Sequence, residues 1–381
     1  MATAICARSG QRVDTPMSVA VVVTARPSYA RVQTVLEGLR RRAIKFHVYA
    51  CASALLPMYG RVVDVIQQDG YQPIEVPASC AHNTLTGTTL TMARLTEALS
   101  LRFWWDPPSL VVTIADRKET LATAVVASYH HLPLFHLLAG ERSGSIDDTV
   151  RDAVSALAQY HAVPCPGQLP VVRKGVWRVT GCPSVDLALR SRTDPPVTCE
   201  ELGVTGATLN LANSFVVLMQ HPVSNEPQAA EQLECTMIAV DSLQTPVLAF
   251  WPGEEAGSDA SSKILRQLKE NYLGNHAWHF VRSCAPRRFY RLLAQCRCLV
   301  GNSSVGIREA GALGVPVVDI GTRQIGRLAG DHVVHASYDV AIIRDAVQAQ
   351  LKHGPYAPST LYGDGHAGER VAAWIQEIMR V

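Results

Sequence analysis

The chain has 381 residues, 48% hydrophobic and 18% charged, a balance that predicts well-packed globular structure and excludes a disordered chain. A formal net charge of +2 leaves no electrostatic footprint for nucleic acid, and no apolar run reaches the ~18–20 residues of a membrane-spanning helix. The ten cysteines are scattered without a Cys-x-x-Cys pair, and the thirteen histidines are equally dispersed. Reduced thiols in a cytoplasmic protein and no metal site are therefore expected.

Residues 1–17 read as a flexible extension, polar and without the apolar core of a signal peptide. Strand-like and helix-like runs then alternate. Ser18–Thr24 (SVAVVVT) is a continuous apolar strand, and Arg31–Arg42 follows with helical spacing. Lys45–Ala50 is a strand, Leu90–Leu101 a helix, Leu110–Ile114 a strand, Glu119–Tyr129 a helix and Leu132–Leu138 a strand. Unbroken Val/Ile/Leu runs separated by helices predict parallel strands covered on both faces. The pattern breaks around residues 181–212, in a stretch rich in Pro and Thr, and a second alternating set begins. Its strands are Ser214–Gln220, Pro246–Trp251, Ala277–Arg282, Cys298–Val300 and Val315–Ile320, and a last helix runs over Gly368–Met379. The expected fold class is α/β, with two Rossmann-like domains of parallel sheets facing a cleft. The predicted domains are residues 18–184 and 185–364, with the C-terminal helix of 365–381 packing back on the first.

In such folds ligands sit beyond the carboxyl ends of the strands, so polar residues there are the candidates. Arg26 follows the first strand, as a phosphate partner or a surface arginine. Asp116 and Arg117 follow LVVTI; Asp116 suits a base, a sugar-hydroxyl acceptor or a helix N-cap. Asp147 and Arg151 are spaced i,i+4 and predict a carboxylate–arginine pair on one helix face, either solvated or entering the cleft. His221 ends another strand, as a structural imidazole or a general acid or base. The stretch GNSSVGIREAGALGVPVVDIGTR places Ser303 and Ser304 at a helix start, Glu309 two turns in and Arg323 after the next strand. Ser303 alone could simply cap the helix. Together the four residues point to a nucleotide diphosphate, with Glu309 accepting the ribose hydroxyls. No Gly-x-x-x-x-Gly-Lys-[Ser/Thr] is present, which argues against a P-loop nucleoside triphosphatase.

The order of these motifs, ADRKE, AGERSGSIDD, GCPSVD, QHPV, GNSSVGIREAGALGVPVVDIGTRQIGR and LYGDGHAGER, resembles the UDP-N-acetylglucosamine 2-epimerases. The likeness is to the hydrolysing branch, and in particular to the epimerase domain of the bifunctional animal enzyme, over nearly the whole chain after residue 18. It implies a GT-B-like fold that binds UDP mainly in the second domain, UDP-N-acetylglucosamine as substrate, no cofactor and a homodimer or homotetramer. It implies Asp116 and Asp147 as catalytic carboxylates, Arg151 as the partner of the latter and His221 near the diphosphate. Arg26, Arg117, Ser303, Ser304, Glu309 and Arg323 correspond to nucleotide contacts. One departure bears on chemistry: Leu138 stands where the family carries a glutamate, so Glu141, Asp116 or Asp147 is expected to take that role. Ala115 and Asp152 also replace a family glycine and histidine. The alternatives are a GT-B glycosyltransferase using a UDP-sugar donor, or a UDP-sugar-binding protein whose catalysis is altered. The alanine-, arginine- and valine-rich composition suits a high-GC bacterial host, where such chemistry serves antibiotic or surface-glycan synthesis.

Overall fold

The computed structural model describes residues 17–380 except 81–82, 169–174, 207–208, 212–213, 224–225, 227 and 272–277. Nearly all of the extension expected over 1–17 thus lies outside the described residues. Two seven-stranded sheets carry the fold. The first has strands β1 (Val19–Val23), β2 (Phe46–Cys51), β3 (Ile74–Val76), β4 (Leu110–Ile114), β5 (Leu134–Leu137), β6 (Tyr160–Val163) and β7 (Val176–Val179). The second has β8 (Thr205–Gly206), β9 (Val216–Met219), β10 (Val247–Phe250), β11 (Trp278–Val281), β12 (Cys298–Gly301), β13 (Val317–Ile320) and β14 (Val333–Ala336). Their orders are β3-β2-β1-β4-β5-β6-β7 and β14-β13-β12-β9-β10-β11-β8. Every pairing is parallel except that of β8, a two-residue edge strand antiparallel to β11.

Each central strand is buried on both faces, which is why it reads as a continuous apolar run. Val19, Val21 and Val23 of β1 pack with Leu36, Leu39, Val371 and Trp374 on one side. Ala20 and Val22 pack with Leu95, Leu99 and Phe103 on the other. In the second sheet Val217 and Met219 face one core and Val216 and Leu218 the other. Helix Pro183–Ser191 gives Val185 to a core of the first sheet and Leu187 and Ala188 to one of the second.

The C-terminal helix Ala367–Met379 lies against helix Gln33–Arg41. A Cβ on Gly368 would meet Thr34 Oγ1 at 2.3 Å, and one on Gly38 would meet Ala372 Cβ at 2.7 Å, so glycine is needed on both faces of the contact. Asp186 receives the backbone N–H groups of Ala367 (3.0 Å) and Gly368 (2.7 Å), which satisfies two orphan donors of that helix start.

The single helix expected after Ser303 is two short ones, Ser304–Ile307 and Glu309–Leu313, broken at Arg308 (φ −98°, ψ −68°). The side chain of Arg308 is buried and spans toward the first sheet, as described below. Among the described residues no helix is long and apolar enough to cross a membrane.

Candidate active site between the two sheets

The strand order reverses direction between β1 and β4 in the first sheet and between β9 and β12 in the second. These are the switch points where adjacent loops diverge and leave a crevice. Arg26 follows β1, Asp116 and Arg117 follow β4, His221 follows β9 and Ser303 and Ser304 follow β12. All of them line one cavity of about 360 Å³, together with Asp147, Glu309 and Arg323. The structure therefore brings nine of the eleven sequence-predicted residues together at the cavity wall. Arg151 sits behind Asp116, and Glu141 lies outside the lining.

The second-sheet half is fixed by a reciprocal pair of hydrogen bonds. The backbone N–H of His221 donates to Asn302 Oδ1 (2.7 Å), and Asn302 Nδ2 donates to the His221 carbonyl (2.8 Å). Gly301, with φ +131°, makes this approach possible: a Cβ there would stand 2.1 Å from the Met219 carbonyl oxygen. Burial pushes the His221 imidazole down to about 4, so it is neutral near pH 7, and its Nδ1 has no hydrogen-bond partner among the described residues. Ser303 precedes the short helix, but no capping bond from its hydroxyl is formed, which removes the simple cap reading. Ser304 Oγ accepts from Arg31 Nη2 (3.2 Å) and Arg308 Nη2 (2.9 Å). Glu309 is 3% exposed; Tyr290 donates to its Oε1 at 3.4 Å, and its Oε2 has no hydrogen-bond partner among the described residues. Phe250 and Phe289 meet edge to face, ring centroids 5.5 Å apart, and add an apolar wall beside it.

The first-sheet half centres on Asp116. Arg151 Nη2 donates to its Oδ2, and Arg327 Nη2 lies 3.6 Å from the same oxygen. Burial alone would raise the Asp116 carboxyl, but Arg151, Arg31, Arg327 and Arg308 outweigh it and hold the group ionised well below the usual range. Asp147 behaves oppositely: burial raises it, and the negative charge of Asp116 adds to the rise. Two carboxylates of one cavity are thus driven apart in acidity.

The expected Asp147–Arg151 pair is corrected by one residue. Arg151 bonds Asp148 Oδ1 at 2.7 Å and the Glu141 carbonyl at 2.6 Å, so the i,i+3 neighbour holds it and Asp147 faces the cavity. Asp148 has its own reason to turn inward, accepting the N–H groups of Ser143 (2.7 Å) and Gly144 (2.8 Å). A second correction concerns Glu141, which is 1% exposed and bonded to Arg308 Nη1 (2.9 and 3.1 Å) and Arg327 Nη1 (2.9 Å). Its oxygens are committed to those arginines, and it lies outside the cavity lining in which the sequence reading expected it to act. Leu138 is itself fully buried in the first core. Ala115 and Leu138 both adopt left-handed backbone, φ +62° and +66°, at the ends of β4 and β5. For residues with a Cβ that conformation costs roughly 1–2 kcal/mol each.

Several lining residues carried no signal in the sequence. Arg31 lies one turn beyond Arg26, and burial lowers the guanidinium, with Arg308 lowering it further. Glu255 lies between two cations of the cavity, 3.4 Å from Arg323 and 4.0 Å from Arg117, and Glu254 is 3.8 Å from Lys118. The nearest available signal was position, since Glu254 and Glu255 follow the strand end of β10. Among the described residues no group of three His, Cys, Asp or Glu side chains is placed to hold a metal ion.

Two facing parallel sheets with a cation-rich crevice at their switch points define a GT-B-like protein. The family model described as UDP-N-acetylglucosamine 2-epimerase matches residues 37–376, and the chain belongs to that family. A Legionella pneumophila protein named UDP-N,N'-diacetylbacillosamine 2-epimerase (hydrolyzing) is 27% identical over 92% of this chain and 93% of its own. A Neisseria meningitidis UDP-N-acetylglucosamine 2-epimerase is 24% identical over 90% of each chain. The crystal structure of the Methanocaldococcus jannaschii UDP-GlcNAc 2-epimerase, in complex with UDP-GlcNAc and UDP, shares the fold with a TM-score of 0.78. It covers 95% of this chain and 100% of that one at 15% identity.

Proposed function

We propose that the protein is a UDP-N-acetylglucosamine 2-epimerase that eliminates UDP across C1 and C2 of the sugar and then re-adds water with inversion at C2. The observation that carries this reading is the single cavity that joins an ionised Asp116 and a raised Asp147 to a wall of arginines, two serines and a half-satisfied Glu309. In the first step the C2 proton passes to a carboxylate while the C1–O bond breaks and its electron pair leaves with UDP, giving a 2-acetamidoglucal. In the second, water adds its oxygen to C1 and a proton returns to C2 from the opposite face. Asp147 is the group suited to proton transfer, because burial and the charge of Asp116 raise it from the ordinary aspartate value toward working pH. Asp116, locked by Arg151, supplies a fixed negative charge beside the sugar that raises Asp147. Arg26, Arg117 and Arg323, with the hydroxyls of Ser303 and Ser304, meet the diphosphate and stabilise the charge that grows on it as the bond breaks. His221, neutral and with a free Nδ1, stands beside that leaving group. Glu309 Oε2 accepts the ribose hydroxyls, and Phe250 and Phe289 line the base.

The hydrolysing outcome is favoured by the name of the Legionella relative, which carries the highest identity of those described above. The test is to incubate the protein with UDP-N-acetylglucosamine in D2O and follow the products by NMR. Free N-acetylmannosamine with deuterium at C2 is expected. If no C2-inverted sugar forms, either free or linked to UDP, the proposal fails.

A second reading, a UDP-sugar-binding protein without turnover, is favoured by one observation: Leu138 is wholly buried in the core, and Glu141 is bound up by two arginines. Calorimetric binding of UDP with no C2 exchange would support it over the first.

A further inference from the structure

Behind the cavity, His136 of β5 is fully buried and lies outside the lining. Its Nε2 is 2.8 Å from the carbonyl oxygen of Ala115, and its Nδ1 is 3.0 Å from Ser155 Oγ. A carbonyl only accepts, so Nε2 carries the proton and donates, and Nδ1 accepts from the Ser155 hydroxyl. Ala115 is the left-handed residue that directly precedes Asp116, and Ser155 lies one turn beyond Arg151 on the helix Asp147–Leu157. One imidazole therefore ties the strained end of β4 to the helix whose arginine grips Asp116.

We propose that His136 is a positioning residue of the reaction, holding the Asp116 carboxylate and Arg151 in register through Ala115 and Ser155. The ring stays neutral: burial pushes it down to about 3, only partly opposed by the Ala115 carbonyl. It is thus a permanent single-proton donor toward Ala115 rather than a titrating group. Without that bond, nothing else among the described residues is seen to hold the Ala115 carbonyl in place, and relaxation of Ala115 toward ordinary backbone would swing Asp116 relative to Arg151. A displacement of about 1 Å in the catalytic constellation is enough to lower a rate strongly, even when it arises away from the reacting atoms.

The role in turnover rests on the epimerase reading; the geometric role of His136 does not. Three variants separate them. His136→Phe keeps the ring volume without a donor, His136→Gln keeps a donor at the Nε2 position, and Ser155→Ala removes only the second bond. With UDP-N-acetylglucosamine, His136→Phe is expected to lower kcat at least tenfold with KM and UDP affinity within about twofold, while His136→Gln recovers most of the loss. In protein labelled with 13C at the aspartate carboxyl, the Asp116 signal, assigned through Asp116→Asn, is expected to move in His136→Phe and to return toward its original position in His136→Gln. Ser155→Ala is expected to shift it less than His136→Phe. The proposal is overturned if folded His136→Phe leaves the Asp116 signal unmoved, or if His136→Gln behaves like His136→Phe. Should the unaltered protein turn over no UDP-sugar, the epimerase reading falls and the carboxyl signal still decides the positioning role.

Discussion

Arg308 Nη1 lies 2.9 Å from Glu141 Oε2, and both side chains are almost wholly removed from solvent. One comes from the break between two helices of the second sheet and the other from the loop after β5 of the first, so the pair binds the two halves of the cleft. Arg327 completes it from the loop after β13. Removing one member of such a buried set leaves charges without compensation, which costs about 3–5 kcal/mol. Glu141→Gln is expected to lower the urea midpoint accordingly, with UDP binding at saturating protein stability retained. A midpoint equal to the parent protein would show that the pair contributes nothing to holding the halves together.

The same group sets a pH dependence. Burial would raise Glu141, but Arg308, Arg327 and Arg151 lower it below its ordinary value of 4.5, and Asp116 is likewise held below 3.8. Both carboxyls are lowered in the folded state, so their stabilisation is complete above those ordinary values and is lost as pH falls through the folded ones. Urea midpoints should therefore drop steeply below about 4.5 through these carboxyls, adding to a decline that begins below about 6.5 because His136 and His221 are neutral in the fold and charged on unfolding. In Glu141→Gln the acid limb should be shallower. An equally steep limb in that variant would assign the loss to other carboxylates.

Much of the fold was legible because central parallel strands leave an unmistakable trace. Leu110–Ile114 is read and observed with identical ends, since a short run of five residues, four of them β-branched and all buried, fits a central strand best. Strand β7 left none: its residues are exposed, so the run VWRV carries no buried period. The cavity residues at strand ends were legible for the same reason as the strands, because fold class fixes where a loop must open. Arg31, Arg308 and Glu255 were not, since their meaning arises from elements over a hundred residues away that no local pattern reports. Glu141 misled in the opposite direction, as its exposure and partners are tertiary facts. The i,i+4 rule for Asp147 and Arg151 failed because Asp148 is turned inward by backbone donors of its own.

Asp147 is the residue on which turnover should depend most. Asp147→Asn removes its proton transfer while preserving shape, and loss of a general acid or base typically lowers rate 10²–10⁴-fold. A fall of roughly that size in kcat is expected, with UDP affinity unchanged by calorimetry. Because burial and Asp116 both raise Asp147, the acid limb of the kcat profile should lie above the ordinary aspartate value of 3.8. Residual activity of the variant should lack that limb; if it persists there, the titrating group is another.

Glu309 should separate nucleoside from phosphate recognition. Its Oε2 faces Arg308 Nε at 3.8 Å but accepts no hydrogen bond from the described residues, which leaves it an acceptor for ribose hydroxyls, and hydrogen bonds to charged groups are worth about 1.5–3 kcal/mol. Glu309→Ala should weaken UDP roughly 10–100-fold, by the same range of energies, yet leave inorganic pyrophosphate binding within about twofold. Arg323→Ala should weaken both ligands. Equal losses for UDP and pyrophosphate in Glu309→Ala would remove the ribose role.

Leu138 allows the catalytic question to be put directly. Restoring a glutamate looks at first like restoring a missing acid, but the leucine is 0% exposed, packed in the core with Ala115 and Ile307, and outside the cavity lining. Its left-handed backbone fixes the direction of the side chain, and the nearby cations Arg308 and Arg327 are already taken by Glu141. A carboxylate placed there would be ionised without a partner or forced to stay protonated, at a cost of several kcal/mol either way. Leu138→Glu is therefore expected to lower the thermal midpoint and to leave C2 deuterium exchange no faster than in the parent protein. Leu138→Met, which keeps volume and polarity, should be nearly silent in both measurements. If Leu138→Glu instead gains turnover, proton transfer in the parent chain does not rest on Asp147 alone, and the loss at position 138 is what separates it from a faster enzyme.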